Sequence, residues 1–386
     1  MNKILCSLLA LVLGVVCIVE TSKAIPAFAR KYNMSCTTCH SPFPRSKPFG
    51  ADFAANGFQL QGQEPSRYFV DTGDELLSLL RDFPIAVRLE GYMRYNYESQ
   101  GKTDFQTPYV VKLLSGGNIT KDISYYFYFF FGERGEVAGL EDAFLFFNNL
   151  FDSELDLQFG QFQVSDPLFK RELRLTFEDY QIYRARPGQS SASLTYDRGA
   201  IFSYGLPSGT DLVLEVLNGN GIGPADADRA FDNDPNKNVM GRVSQDIGSE
   251  FRVGAFGYYG LEEQSGFRNY TRMIGPDVSA TFEKFEVNVQ AVWRYDDNPY
   301  FVSTTGRQET RGGFAEVIVT PEGDMSRVYG VLLYNLVRSD ASALDYQSIS
   351  GHIGYLLRRN IRLTGEYSYD IDLKAHGLTG GIVMAF

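Results

Sequence analysis

The chain has 386 residues and a net charge of −11, with 30 Phe, 24 Tyr, 38 Gly and a single Trp. Excess negative charge argues against nucleic acid as a partner and mildly favours cations. Such aromatic and glycine richness at a slightly negative mean hydropathy is unusual for a soluble chain of one large or two ordinary domains.

Lys3 precedes an apolar run from Ile4 to Val19, and Ser22-Lys23-Ala24 supplies small residues before a cut ahead of Ile25. This layout predicts a secretory signal peptide over residues 1–24. Its loss removes two lysines and one glutamate, so the net charge moves to −12, and Cys6 and Cys17 leave with it. Val16 puts a bulky residue where a small one normally precedes a lipidated cysteine, which disfavours a lipoprotein.

The only thiols left are in Cys36-Thr37-Thr38-Cys39-His40. C-x-x-C-H is the attachment site of a c-type haem: two thiolates add to the porphyrin and the adjacent imidazole ligates the iron. The motif predicts one covalent haem c on Cys36 and Cys39, with His40 as the proximal ligand. A structural zinc would need about four ligands, and the other histidines, His352 and His376, lie hundreds of residues away. A Cys36–Cys39 disulfide would leave His40 unexplained.

Residues 25–81 hold Pro26, Pro42, Pro44, Pro48 and Pro65 and show no alternation; Asp74 to Leu80 reads as a short helix. With about 55 residues this monohaem cytochrome c module is too small to bury a haem alone, and is expected to lean on the rest of the chain.

Residues 82–386 have a period of two. Val87, Leu89, Gly91, Met93, Tyr95 and Tyr97 share one strand face, while Arg88, Glu90, Arg94, Asn96 and Glu98 share the other. The pattern recurs from Phe285 to Asp296 and from Ile361 to Ile371. No apolar run after the signal approaches the ~18 residues of a membrane helix. Short polar turns such as 118–122, 151–154 and 248–250 interleave with longer connections at 164–190, 218–238 and 298–309. The fold class expected is mostly β: an antiparallel transmembrane β-barrel of about sixteen strands in the outer membrane, with the haem module plugged into or packed on it. Leu378, Gly380, Ile382, Met384 and Phe386 share one face and end in a terminal aromatic, like the signal read by barrel-insertion machinery. A soluble all-β fold is the alternative, since alternation alone fits an ordinary sandwich.

Several candidates exist for the sixth iron ligand. Ile349, Gly351, Ile353, Tyr355 and Leu357 point outward and put His352 in the lumen, making it the distal candidate; a solvated lumen histidine is the plainer reading. Met34 is too close to Cys36 in sequence, Met93 faces lipid, His376 reads as a loop residue, and an open position is also compatible. Asp226, Asp228, Asp232 and Asp234 form an acidic loop whose carboxylates suit divalent cations, though a solvated loop needs no cation. Lumen carboxylates such as Glu90, Glu98, Glu286 and Glu366 could draw cations inward, offset by lumen arginines. Residues 165–186 are long enough to cover the mouth or enter the lumen.

Ile25-Pro26-Ala27-Phe28-Ala29-Arg30, then Cys36 to His40, Phe49-Gly50, Phe53 and Asn56-Gly57-Phe58 resemble the N-terminal haem segment of the fused outer-membrane monohaem cytochrome-porins, the family of bacterial outer-membrane iron oxidases. The motif match covers about 35 residues; the rest agrees in architecture and length. The resemblance implies a haem module in or against the lumen of a sixteen-strand barrel, with electrons from extracellular Fe(II) passed to a periplasmic c-type cytochrome or other carrier. The chain departs from the iron-oxidising pattern at Ser41-Pro42-Phe43-Pro44 and Ser46-Lys47-Pro48, around the expected haem edge. An apolar band about 25 Å tall exceeds one haem, so a single centre bridges it only from within the lumen. The function expected is an outer-membrane electron conduit by one-electron, outer-sphere oxidation, with no catalytic acid, base or nucleophile. The alternatives are a diffusion porin with a haem sensing or gating module, or electron export to an external acceptor.

Overall fold

The computed structural model describes residues 27–60, 69–74, 76–81, 83–96, 102–232, 234–304 and 306–386. The signal peptide expected over residues 1–24, and Glu98 among the expected lumen carboxylates, lie outside them.

Sixteen strands form one closed sheet. They are β1 (Ile85–Asn96), β2 (Lys102–Asn118), β3 (Ile123–Glu133), β4 (Gly139–Leu150), β5 (Leu155–Gln163), β6 (Tyr196–Leu206), β7 (Thr210–Leu217), β8 (Asn238–Ile247), β9 (Phe251–Gln264), β10 (Phe267–Thr281), β11 (Phe285–Asp296), β12 (Gln308–Val319), β13 (Val328–Ser339), β14 (Tyr346–Arg358), β15 (Ile361–Asp370) and β16 (Ala375–Ala385). Each pairs antiparallel with its neighbours in sequence, and β1 pairs with β16 in the register Arg88↔Ala385 to Asn96↔Gly377. The terminal Phe386 extends that seam, donating to Val87 O at 2.9 Å and accepting from Val87 N at 2.7 Å.

The alternation read in the sequence becomes two environments. Met93, Phe159, Ile274, Trp293, Ile353 and Leu378 stand exposed on the outside, whereas Leu217, Met240, Thr271, Asn335 and Ser350 are fully buried inside. A closed sheet with no free edge and an apolar outer band is a membrane-spanning barrel. The connections are less regular than expected: β9 and β10 are joined by Ser265-Gly266 alone, although that turn lies at the end of the barrel that carries the long loops.

Residues 164–195, between β5 and β6, run inside the barrel. Tyr180 stacks on Phe314 with ring centroids 4.0 Å apart, and its hydroxyl donates to Glu316 at 3.2 Å. Tyr183 donates to Gln290 at 3.1 Å. Arg294 gives its guanidinium to Ala185 O, Ala192 O and Ser190 Oγ at 3.0, 2.6 and 2.9 Å, and pairs with Asp296 at 2.6 Å. Lumen side chains thus take up backbone groups of the inner loop, Ala185 O and Ala192 O among them.

The N-terminal module contributes α1 (Ala27–Tyr32), α2 (Cys36–Cys39) and α3 (Pro48–Ala55). Among the described residues from Asp74 to Leu80 no helix is formed: Asp74 turns its carboxylate to Leu76 N at 3.0 Å, and Val70 N donates to Leu79 O at 2.9 Å in a small antiparallel bridge. Leu76, Leu77 and Leu79 are exposed there, so a helix would have no surface to bury its apolar face against.

Candidate functional site

Contacts with the barrel set the module inside the mouth at the short-turn end. Arg30 donates to Ile85 O, Lys31 to Asn118 Oδ1 at 3.1 Å, and Asn148 to Asn56 O at 3.1 Å. Across the mouth Arg45 pairs with Glu286, and Lys47 with Asp324 at 2.5 Å. Phe28 stacks on Phe58 at 4.8 Å and Phe58 on Tyr126 of β3 at 4.9 Å, so one aromatic column joins module and wall. Gly57 makes that approach possible: at φ +60° it lies against Ser124 and Asn148, where a side chain would collide.

Local sequence shapes the cysteine turn. Ser35 Oγ accepts from Thr37 N at 3.3 Å and caps α2. His40 leaves the turn in extended backbone, donating its N–H to Cys36 O at 2.9 Å. Lys47 N donates to Cys39 O at 2.8 Å, which doubles the chain back and lays α3 against the turn. No disulfide joins Cys36 to Cys39. Burial pushes both up, and for Cys39 the neighbouring Cys36 adds to the effect. Burial lowers the His40 imidazole to about 4, so the ring is neutral at pH 7. Its Nδ1 is buried without a hydrogen-bond partner.

Cys36, Cys39 and His40 line one cavity of about 1320 Å³, partly open to solvent. Phe28, Phe53 and Phe58 from the module, Leu114, Tyr126 and Tyr128 from the wall, and Met34 form apolar sides, while Arg88, Lys112 and Lys170 outnumber the single carboxylate of Glu172, which pairs with Lys112 at 2.6 Å, at one end. Two thiols three residues apart, a neutral imidazole, aromatic walls and a cationic end fit a flat apolar group that carries carboxylates. These residues could hold a haem: the thiols would attach it covalently and His40 would offer a ring nitrogen to iron.

His352 stands apart from that cavity. It is buried in the lumen, as its strand parity predicts, but its Nδ1 pairs with Glu366 at 2.9 Å and its ring lies 5.7 Å from Tyr329. The cavity is lined by Met34 instead, because Met34 N donates to Ala29 O at 3.1 Å and closes the chain back on α1. His376 is the second residue of β16 rather than a loop residue, exposed, with its Nδ1 2.6 Å from the Tyr367 hydroxyl. Met93 faces outward.

Three carboxylates of the acidic loop are engaged by nearby backbone and side-chain groups, and Asp234 also accepts from Glu263 N of β9 at 3.1 Å. Asp226 accepts from Asp228 N and Ala230 N at 2.9 Å each, Asp234 from Asn236 N at 2.7 Å, and Asp232 pairs with Lys237. Among the described residues no group of three or more His, Cys, Asp and Glu could hold a metal ion. Of the lumen carboxylates, Glu366 holds the inner loop, accepting from Phe177 N and Glu178 N at 2.6 and 2.8 Å.

No protein family matches the chain's sequence, and no curated protein matches it either. Solved porins match its fold. An anion-selective porin from Comamonas acidovorans superposes with a TM-score of 0.58 at 11% identity, over 79% of this chain and 99% of that one. The outer membrane channel DcaP of Acinetobacter baumannii gives 0.57 at 13% identity, over 79% and 97%. Salmonella typhi OmpF, in complex with daunomycin, gives 0.55 at 11% identity, over 79% and 97%. The chain is a porin-like barrel of sixteen strands, and its place is the outer membrane.

Proposed function

We propose that this chain is an outer-membrane electron conduit carrying one haem c on Cys36, Cys39 and His40. The observation that carries the reading is the meeting of these three residues at one mostly apolar cavity inside the barrel mouth. A bound haem would supply a one-electron centre. The chain's own part is to attach and orient it, to keep the His40 ring neutral, and to hold water away with Phe28, Phe53 and Phe58.

In this reading an external donor loses one electron, Fe(II) becoming Fe(III), and a periplasmic c-type cytochrome or similar carrier gains it. Ferric product then stays outside the cell. Fe(II) is favoured by the resemblance of the N-terminal segment alone. The short-turn end is periplasmic by the usual asymmetry of such barrels, which puts the cavity at the exit side.

A diffusion channel with a haem sensing or gating module is the second reading, and the porin neighbours favour it. Against it stands a lumen in which Tyr183 and Leu217 are fully buried. Purified protein should show haem peroxidase staining on its denatured band, and Cys36→Ser with Cys39→Ser should abolish it. Persistence of the stain in that double variant rejects the attachment. Solute flux into liposomes at open-porin rates selects the channel instead.

A further inference from the structure

A second, polar pocket, partly open to solvent, lies between the inner loop and the β1–β3 wall, lined also by Arg362 of β15. Five basic residues line it, Arg88, Lys112, Arg134, Arg174 and Arg362, against three acidic ones, Glu90, Glu133 and Glu172. Each carboxylate is already engaged: Glu90 by Arg88 and by the Tyr92 hydroxyl at 2.9 Å, Glu133 by Arg134 at 3.5 Å, Glu172 by Lys112 at 2.6 Å. Arg362 and Arg174 are the cations in excess. Arg362 is 4% exposed, its Nη1 donates to the Tyr329 hydroxyl at 3.1 Å, and its Nε has no acceptor. Arg174 shares Asp179 with Arg171 and Arg184, at 3.9 Å. The Nε of Arg88 is likewise buried without an acceptor.

Buried guanidinium N–H groups left without acceptors are costly, and several converging on one pocket are matched by planar or tetrahedral oxygens that accept two bonds at once. We propose that the pocket binds a small oxyanion bearing two or more negative charges, a polycarboxylate or a phosphate, held by Arg362, Arg174 and Arg88. The aromatic rings of Tyr92, Tyr109 and Phe177 close its other side, with Phe177 4.9 Å from Tyr92 and 5.3 Å from Tyr109. The site stands on these side chains whether or not Cys36 and Cys39 carry a haem. Arg88 and Lys112 also line the cysteine cavity. The oxyanion therefore has two possible sources: an anion that diffuses in, including an anionic chelate of a metal, or the carboxylates of a group held in that cavity.

Equilibrium dialysis of radiolabelled citrate against the full-length protein in detergent distinguishes them. Saturable binding of one citrate per chain is expected, weakened by about tenfold or more in Arg362→Gln and in Arg174→Gln. Arg268→Gln, at the exposed start of β10, should leave it unchanged, and Arg362→Lys should recover only part, since an ammonium lacks the fork. Citrate bound by the Cys36→Ser, Cys39→Ser protein but not by the native one, and lost again with Arg362→Gln, identifies an internal carboxylate as the natural occupant. Absence of citrate binding in both proteins, or measurable binding that Arg362→Gln leaves unchanged in whichever of them binds it, overturns the site. Gel mobility before and after boiling shows that each variant has closed its barrel; should Arg362→Gln fail to close, Arg174→Gln on the loop gives the same reading.

Discussion

At Gly50 the absence of a side chain decides whether the module can form. A Cβ there would overlap the carbonyl oxygen of Cys39, and that oxygen is pinned, since it accepts from Lys47 N at 2.8 Å. Neither group can yield without breaking the turn that presents Cys39 and His40. Gly50→Ala should destabilise the module by about 2 kcal/mol, the usual scale of overpacking, while the barrel stays closed. Proteolysis of the native protein in rising urea would register the change as earlier cleavage within residues 27–60 and unchanged resistance of the strands. Equal resistance of both proteins would mean that α3 does not rest on Cys39. The Cys36 to His40 motif was legible because its chemistry is local, five residues long. The contact with Gly50 was not, since nothing in Phe49-Gly50 says which backbone lies beside it. The same limit explains Met34 and His352. Strand parity put His352 in the lumen correctly, but parity carries no height along the axis and no partner, and Glu366 takes its Nδ1.

Single elements differ in how much of their placement they carry within themselves. A strand such as β14 declares both faces by its period: Ile353 is exposed while His352 and Ser350 are buried. The inner loop declares nothing of the kind. Its charged and aromatic residues would serve equally over the mouth, and its fixing partners Gln290, Glu316, Asn335 and Glu366 lie more than a hundred residues away in sequence. Its electrostatics show how it stays inside. Burial alone would raise the Glu172 carboxyl, but Lys112, with Arg88 and Arg174 behind it, outweighs that and holds it at about 2. Glu172 therefore contributes pairing energy in full above its ordinary carboxylate range, and loses it progressively as pH falls from that range through about 2. Arg294 is the stronger anchor, buried at 2% side-chain exposure. Arg294→Met would strand Asp296 without its cation and leave Ala185 O and Ala192 O without a donor, a loss of about 3–5 kcal/mol for the loop's seat. Single-channel recordings should then show a several-fold higher conductance than the native protein, as the loop leaves the lumen. An unchanged trace would mean that the aromatic stack of Tyr180 on Phe314 suffices.

For the molecule as a whole, closure is the dominant fact. Strand number and antiparallel order were legible, since period two, turn chemistry and an even count all agree; the fill of the lumen was not, because it is made by segments with no period. The β1–β16 seam joins residues nearly three hundred apart in sequence, so the barrel forms only when the last strand arrives and Phe386 pairs with Val87. Once closed, every strand has both neighbours, and opening any seam in lipid would expose a row of N–H and C=O groups with no water to take them. The folded barrel should therefore resist detergent at room temperature and yield to boiling, running as two bands on a gel. Carbonate washing should leave it in the membrane fraction. Replacing Phe386 and Met384 together by serine removes apolar area at the seam and the terminal aromatic, while Leu378 and Ile382 keep the strand amphipathic. The folded band should weaken in that variant and the boiled band remain. A protein released by carbonate, or one whose mobility ignores boiling, would return the fold to a soluble β-sandwich, and with it the outward row of Met93, Trp293 and Ile353 would lose its explanation.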